Sequence, residues 1–287
     1  MYLFSLLLAC AITARAPDPS RCPGAISAPL RTADDARIQL HHHPADGPPV
    51  VLIHGISSNH RCWDLTPDRS LAVALTDAGY DAWLLDLRGH GDAFVPGASH
   101  HGWTLDDYGG LDLARAIAHV QQATGSEQVA VVGHSMGGRA ALAYASQNTD
   151  LLKALVVLDM APQVERDEVD SIAGWRRLPA ETDSFEEFVE AAHNLNPRRT
   201  VEQLRGSLAH QLRQYESGKW SWKWDPALRQ ADTSGWTTER LWDAVSNIKC
   251  PVLMVRGGDS GLISDATIER MKKTVPGKQA LGIEGAG

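Results

Sequence analysis

Short apolar runs recur along the chain and alternate with longer amphipathic stretches. A run without polar alternation is typical of a strand that is buried on both faces of a sheet. The strand patterns cover 36–41, 49–55, 81–86, 129–132, 154–159, 250–258 and 279–283, and the helical patterns 70–78, 106–123, 139–145, 184–194, 200–215 and 264–275. Alternating strands and helices predict an α/β fold whose mostly parallel central sheet has helices on both faces. In such a sheet, reactive groups gather at the carboxyl ends of the strands.

The stretch VAVVGHSMGG, residues 129–138, combines an apolar run, a glycine, a serine and two further glycines. It predicts a strand, a sharp turn and a helix, with Ser135 at the apex of the turn. Glycines allow the strained backbone and close packing that such a turn requires. The turn lifts the serine hydroxyl above the sheet and directs the helix N-terminus toward a developing oxyanion. We therefore interpret Ser135 as a nucleophile.

A second glycine turn, Gly55, follows the buried strand that ends in LIHG at residues 52–55. It lets the chain turn sharply above the sheet, which makes the backbone N–H of Ile56 a candidate oxyanion donor. The N–H of Met136, the residue after Ser135, is its expected partner. We interpret His54 as a residue that shapes this loop, because it stands on a short turn before the nucleophile strand.

Three motifs, LIHG (52–55), DLRGHG (86–91) and GHSMGG (133–138), resemble those of the α/β-hydrolase superfamily and follow its order. The resemblance extends from residue 37 to the last residue, apart from 162–247. It implies the α/β-hydrolase fold, with a serine nucleophile at Ser135. The serine favours esterases, lipases, peptidases and related acyl-transfer enzymes over the branches that have an aspartate at this position. The fold itself hosts many reactions.

Residues 162–247 differ from the rest in being rich in charge and tryptophan, and they stand between two predicted core strands. The resemblance implies a cap inserted over the active site, which would exclude water and supply an apolar wall. Trp220, Trp222 and Trp224 would share one face of an extended segment. We divide the chain into a leader and tether (1–30), a first core part (31–161), the cap (162–247) and a second core part (248–287).

The N-terminus carries an apolar run at residues 3–12 followed by the small residues Ala14 and Ala16. This is the pattern of a signal peptide, and LLAC at residues 7–10 is similar to a lipoprotein box. We expect an exported protein, periplasmic or lipid-anchored, with membrane attachment through the N-terminus only. The alternative is a cytoplasmic protein with a misplaced start codon or a buried N-terminal segment.

The net charge and the spacing of potential metal ligands limit the classes of partner that we expect the protein to bind. The net charge of −8 and sequence pI near 5.8 argue against a nucleic-acid partner. The four cysteines show no zinc-ligand spacing. Three adjacent histidines, His41, His42 and His43, point to opposite faces of a strand and cannot all bind one ion. We expect no metal and no organic cofactor, and a small-molecule ester as the substrate.

Two carboxylates compete for the role of the acid that orients a catalytic histidine. Asp159 follows the strand pattern 154–158, where some small-ester hydrolases of the fold carry their acid. Asp259 stands in GGDSG (257–261), near the usual position, although a comparison of that loop places the family's aspartate at Gly261. Either carboxylate could orient and stabilise an imidazolium. Asp159 is our first choice and Asp259 the alternative.

The last residues, EGAG (284–287), stand where the resemblance places the catalytic histidine directly after a Gly-x-Gly. No histidine follows His210. We therefore expect a C-terminal truncation, with the base at the next position, and residues 1–287 alone to be inactive. Activity of these residues alone would instead require another base, such as His54 or His134.

The function expected from these features is a serine hydrolase of carboxylic esters with an apolar group, acting through an acyl-enzyme on Ser135. The alternatives are another reaction of the same fold, by a peptidase, C–C hydrolase or perhydrolase, and a non-catalytic binding protein with a hydrolase-like fold.

Overall fold

The computed structural model describes residues 26–97, 103–165, 173–230, 236–277 and 279–286. The strands in these ranges are β1 Ile26–Arg31, β2 Arg37–His43, β3 Pro49–Ile53, β4 Asp64–Thr66, β5 Arg69–Ser70, β6 Asp81–Asp86, β7 Val129–His134, β8 Leu152–Leu158, β9 Glu181–Thr182, β10 Leu212–Gln214, β11 Trp220–Trp222, β12 Val252–Gly257 and β13 Gln279–Ile283. The α-helices there are α1 Leu71–Asp77, α2 Ala114–Thr124, α3 Met136–Gln147, α4 Phe185–Leu195, α5 Val201–Gln211, α6 Thr238–Ser246 and α7 Asp265–Thr274.

Eight of these strands form the central sheet, in the order β1-β2-β6-β3-β7-β8-β12-β13. From β6 to β13 in this order, each strand is parallel to the next. The first two strands join the sheet antiparallel. The predicted α/β fold with a mostly parallel sheet is confirmed.

Both faces of this sheet are buried, as the apolar strands predict. Along β3, Val51 and Ile53 pack in one apolar cluster with Ile117 of α2, whereas Val50 and Leu52 pack in a second cluster on the opposite face. Successive side chains of a strand point to opposite faces. An apolar residue at every position therefore requires helices on both sides.

Two predicted helices differ from the structure at their ends. The pattern at 106–123 predicts one α-helix, but the chain makes a π-helix at Asp107–Leu113 before α2. The pattern at 200–215 predicts a longer helix than α5, which begins at a capping box on Thr200. After Gln211 the chain pairs as β10 with β11, so the last predicted helical residues form a strand.

The predicted cap forms α4, α5, α6 and a three-stranded sheet in the order β10-β11-β9. It contacts the loops at the carboxyl ends of two core strands. Asp225 donates its backbone N–H to Gly89 O at 2.8 Å, and Asn59 donates its side-chain N–H to His210 O at 3.0 Å. These contacts place the segment against the edge of the sheet where reactive groups are expected.

The N-terminal boundary needs a correction. We expected residues 1–30 to form a leader and tether, but residues 26–30 belong to β1, which pairs in register with β2. Alternation of apolar and polar residues is weak in this strand, because it lies at the sheet edge and is mostly exposed. The predicted signal sequence and lipoprotein box lie outside the described residues. Among the helices that are described, none is both long and apolar enough to cross a membrane.

Candidate active site

Ser135 occupies the apex between β7 and α3. Its φ of 51° and ψ of −121° lie in a region that residues with a side chain rarely adopt. The turn packs tightly, since a Cβ on Gly137 would collide with the backbone oxygens of Ile53 and His54. Only glycine fits this position, and the close approach brings the start of α3 against the end of β3. The turn predicted from the GHSMGG motif is therefore present, with Ser135 half-buried above the sheet.

Two backbone N–H groups are available beside this turn. Met136 is the first residue of α3, where an N–H has no partner within the helix. Ile56 follows Gly55, and within the described ranges its N–H makes no hydrogen bond. A Cβ on Gly55 would lie 3.1 Å from Ser135 Cβ, so this loop lies directly against the serine. The arrangement offers a developing oxyanion two donors at the serine.

Asp159 lies at the end of the neighbouring strand, β8. Ser135 donates its backbone N–H to Leu158 O at 3.1 Å, which connects the serine turn to the residue before Asp159. Asp159 has a φ of 47°, so the adjacent strands β7 and β8 are each followed directly by a residue with positive φ. Oδ2 of Asp159 accepts a hydrogen bond from Ser260 Oγ at 3.1 Å. Oδ1 is buried and has no partner in the described part of the chain.

Asp259 is placed differently. It is exposed and follows β12, and its backbone N–H donates to Ala286 O at 2.8 Å. Gly258 N–H in turn donates to Ile283 O at 2.7 Å. These bonds hold residues 284–286, the loop that leaves β13, against the turn that contains Ser260. The structure therefore brings Asp159, Ser260 and the β13 loop together and leaves the Asp259 side chain at the surface.

His54 is fully buried, and both of its ring nitrogens have partners. Nδ1 lies 2.8 Å from Gly55 O, and Nε2 accepts the backbone N–H of Leu87 at 3.2 Å. This arrangement assigns the proton to Nδ1. Burial lowers the pKa of His54, so the ring stays neutral at pH 7. Its nitrogens hold two loops in place and are not available to take a proton from Ser135.

His134, the residue before Ser135, faces Trp63 and Gly55. Its ring makes an edge-to-face contact with Trp63, with centroids 6.4 Å apart. Burial lowers the pKa of His134, and the nearby charge of Asp159 raises it by a smaller amount. In the described part of the structure, neither ring nitrogen hydrogen-bonds to Ser135 or Asp159.

A polar cluster around Asp86 was not identified from the sequence. Asp86 is fully buried at the end of β6 and accepts backbone N–H groups from His60 at 2.6 Å and Asp92 at 2.9 Å. His60 Nδ1 lies 2.9 Å and His41 Nε2 3.3 Å from its Oδ2. Burial alone raises the pKa of Asp86, but His60 and His41 outweigh it and hold that pKa well below its usual range. The carboxylate thus fixes the loops that follow β3 and β6.

The same cluster has the composition of a metal site. His41, His60, Asp86 and Asp92 each offer one ligand atom, and these atoms lie within 4.8 Å of one another. However, the two imidazole rings stack with centroids 3.5 Å apart and planes 21° from parallel. An ion about 2 Å from a ring nitrogen binds in the plane of that ring. One position cannot satisfy both stacked rings, so the geometry favours a hydrogen-bonded cluster.

The sheet order and the serine turn together define the class of protein as an α/β hydrolase. The family model described as alpha/beta hydrolase fold matches residues 48–287, and the chain belongs to this family. Esterase Rv0045c of Mycobacterium tuberculosis is 29% identical over 229 residues, covering 76% of this chain and 68% of the relative. The 2-(acetamidomethylene)succinate hydrolase of Mesorhizobium japonicum is 26% identical over 260 residues, covering 89% and 87%.

Solved structures give the same result for the fold. The crystal structure of E-2-(acetamidomethylene)succinate hydrolase matches with a TM-score of 0.71 at 21% identity, covering 91% of each chain. That of esterase Rv0045c matches with a TM-score of 0.67 at 25% identity, covering 99% of this chain and 89% of the other. These relatives support a hydrolase role for the chain.

Proposed function

We propose that the protein hydrolyses carboxylic esters through an acyl-enzyme formed on Ser135. The observation that carries this proposal is the strained position of Ser135 beside two available backbone donors. A serine hydroxyl is a weak nucleophile unless a neighbouring base takes its proton. Backbone donors aimed at the carbonyl oxygen of the substrate stabilise the tetrahedral intermediate. A serine nucleophile and backbone donors for an oxyanion both point to acyl transfer rather than to a reaction that leaves the serine unmodified.

In the proposed reaction, Ser135 Oγ attacks the ester carbonyl carbon and transfers its proton to an imidazole. The N–H groups of Ile56 and Met136 hold the oxyanion. When the intermediate collapses, the alcohol leaves with the proton from the imidazole and the acyl group remains on Ser135. A water molecule then attacks the acyl-enzyme, and the same imidazole removes its proton. The products are the free carboxylic acid and the alcohol.

Asp159 is the proposed acid of the triad. Its Oδ1, which has no partner among the described residues, is an acceptor for an imidazole N–H, and Ser260 holds the other oxygen in place. The family resemblance places the histidine on the loop that leaves β13. The hydrogen bonds from Gly258 and Asp259 hold that loop on the Asp159 side of the site. Asp259 fits less well, because its side chain is exposed.

We assign the binding of the apolar part of the substrate to the cap. Trp222 and Trp224 are buried there, with ring centroids 5.3 Å apart. Trp224 forms a β-bridge with His90 in the loop after β6, so this aromatic wall lies against the carboxyl end of the sheet. An apolar wall excludes water from the acyl-enzyme until hydrolysis.

The direct test is ester hydrolysis by the full-length protein and its Ser135→Ala variant. With 4-nitrophenyl butyrate, we expect Ser135→Ala to lower kcat by at least about 10⁴-fold, as loss of a catalytic serine does. Ser146→Ala on α3 is the matched control, since Ser146 only donates to Ala143 O within the helix. It is expected to retain activity. Equal hydrolysis by the wild-type protein and Ser135→Ala would overturn the proposal.

A further inference from the structure

The cap contains a cavity of about 140 Å³ that opens toward the loop after β3. Its walls are mainly apolar and include Trp175, Trp222, Trp224, Leu204 and Leu208, and Ser57 lines its core side. A single water needs only about 10–15 Å³ of such a cavity, so a volume of about 140 Å³ has room for a short chain of several heavy atoms. Its size and lining suit a short acyl chain.

Among the described residues that line this apolar cavity, Arg199 is the cation. Its Nη2 donates to Ser207 Oγ at 3.0 Å and to Gln203 O at 3.3 Å. Across the described ranges, no carboxylate lies within ion-pair distance of Arg199. By contrast, Arg205 on α5 binds Glu186 at 2.8 Å. Partly burying a guanidinium without a carboxylate partner costs free energy. The guanidinium also keeps N–H donors that can bind a carboxylate.

The partial burial of Arg199 also favours an anion bound beside it. It lowers the pKa of the Arg199 guanidinium from its usual value, because the charge is partly removed from water. An anion bound beside the guanidinium would replace the stabilisation of the positive charge that water no longer supplies. Planar guanidinium groups match carboxylates in a two-bond geometry, and such charged hydrogen bonds are among the stronger ones in proteins.

Ser57, which lines the cavity, places it beside the proposed catalytic machinery. Ser57 follows Ile56, whose N–H is a proposed oxyanion donor. Asn59, two residues further along, is hydrogen-bonded to His210 at the end of α5, so the loop and the cap helix are fixed to each other. The acyl chain and the alcohol group both extend from the carbonyl carbon held at these donors, and we assign the acyl chain to the side of Ser57.

We propose that this cavity binds an acyl chain whose far end carries a carboxylate, and that Arg199 binds that carboxylate. The substrate class is then a half-ester of a short dicarboxylic acid. This inference rests on the proposed ester hydrolysis, which it makes more specific. The tryptophans hold the methylene groups, and Arg199 selects charged chains over neutral ones of equal length.

Binding can be tested without catalysis, because three tryptophans line the cavity. We would titrate the full-length protein with pentanoate and with pentanamide, which has the same shape and no charge, and follow tryptophan fluorescence. The expected Kd for pentanoate is lower by about tenfold, which corresponds to about 1.4 kcal/mol. Arg199→Gln should abolish this difference, and Arg199→Lys should retain part of it. Arg198→Gln is the matched control, since Arg198 is exposed and does not line the cavity.

Catalysis supplies the second measurement. We would compare kcat/KM for 4-nitrophenyl hydrogen glutarate with that for 4-nitrophenyl pentanoate, which has an acyl chain of the same length. Arg199→Gln should lower the value for the charged ester by about tenfold and leave that for the neutral ester within twofold. Arg198→Gln should change neither.

The two measurements separate this inference from the proposed function. Equal binding of pentanoate and pentanamide, or a difference that survives Arg199→Gln, would overturn the carboxylate site even if neutral esters are hydrolysed. Selective, Arg199-dependent binding of pentanoate without hydrolysis of either ester would support the site and contradict the esterase proposal.

Discussion

Ser260 donates its hydroxyl hydrogen to Asp159 Oδ2 at 3.1 Å, whereas Asp159 Oδ1 is buried and has no partner among the described residues. A buried carboxylate oxygen without a hydrogen bond costs free energy, and such atoms in folded proteins often belong to functional sites. The pair links β8 to the turn after β12, which also holds the loop leaving β13. Asp159 is thus fixed on one side and open to an imidazole on the other.

The first prediction compares the two candidate acids. Asp159→Asn should lower kcat by about 10³- to 10⁴-fold, because an amide cannot stabilise an imidazolium or fix its tautomer. Asp259→Asn, which changes an exposed side chain, should lower kcat by less than about tenfold. The measurement is steady-state hydrolysis of 4-nitrophenyl butyrate by the full-length variants. The reverse order of the two losses would transfer the role of the acid to Asp259.

The second prediction concerns Ser260 as a positioning residue. Ser260→Ala removes one hydrogen bond to a charged group, which is worth about 1.5–3 kcal/mol. We expect kcat to fall by about tenfold with KM nearly unchanged, and Ser260→Thr, which keeps the hydroxyl, to restore most of it. Equal losses in the alanine and threonine variants would show that Ser260 acts only through packing.

The serine turn could be predicted from the sequence because its cause is local. Gly133, Gly137 and the apolar β7 lie within a few residues of Ser135, and their spacing determines the turn. The mostly parallel sheet was predictable for a similar reason, because wholly apolar strands separated by helices are typical of a parallel sheet that is covered on both faces. The position of Asp159 after β8 was also evident from the pattern.

The contacts that connect distant parts of the chain could not be predicted in this way. His41, His60 and Asp86 come together only when β2 pairs with β6 and the loop after β3 folds over them. Arg88 likewise binds Asp34, which precedes it by many residues in the sequence, and Asp112, which follows it, both at 2.7 Å. Nothing in the sequence near any one of these residues indicates its partners.

The third prediction concerns acid stability through His90. His90 is fully buried, its Nδ1 lies 2.9 Å from Arg88 O, and its Nε2 has no partner in the described ranges. Burial lowers the pKa of His90 to about 3. Below about pH 6.5 the unfolded chain binds a proton here that the folded chain does not. The free energy of unfolding therefore decreases as the pH falls from 6.5 toward 3.

The His90→Asn variant tests this effect, since asparagine can still donate to Arg88 O. Between pH 7 and pH 5, we expect the decrease in the free energy of unfolding to be about 1–2 kcal/mol smaller in His90→Asn than in the wild-type protein. Urea unfolding at several pH values supplies the measurement. The same pH dependence in both proteins would mean that His90 is protonated in the folded state.

The fourth prediction concerns His134. Its nitrogens make no hydrogen bond to Ser135 or Asp159 in the described structure, so it is not placed to act as the base. His134→Gln should retain kcat within about tenfold of the wild-type value, since a lost general base costs far more. The pH profile of kcat should also be unchanged. A loss as large as that of Ser135→Ala would make His134 the base and would contradict the proposed triad.

Covalent labelling can identify the nucleophile of the full-length protein, which we expect to be Ser135. The full-length protein would be treated with a fluorophosphonate probe, digested and analysed by mass spectrometry. We expect one phosphonylated peptide, modified at Ser135, and no labelling of the Ser135→Ala variant. Labelling of Ser135→Ala at the wild-type rate, or modification of another serine in the wild-type protein, would contradict this assignment.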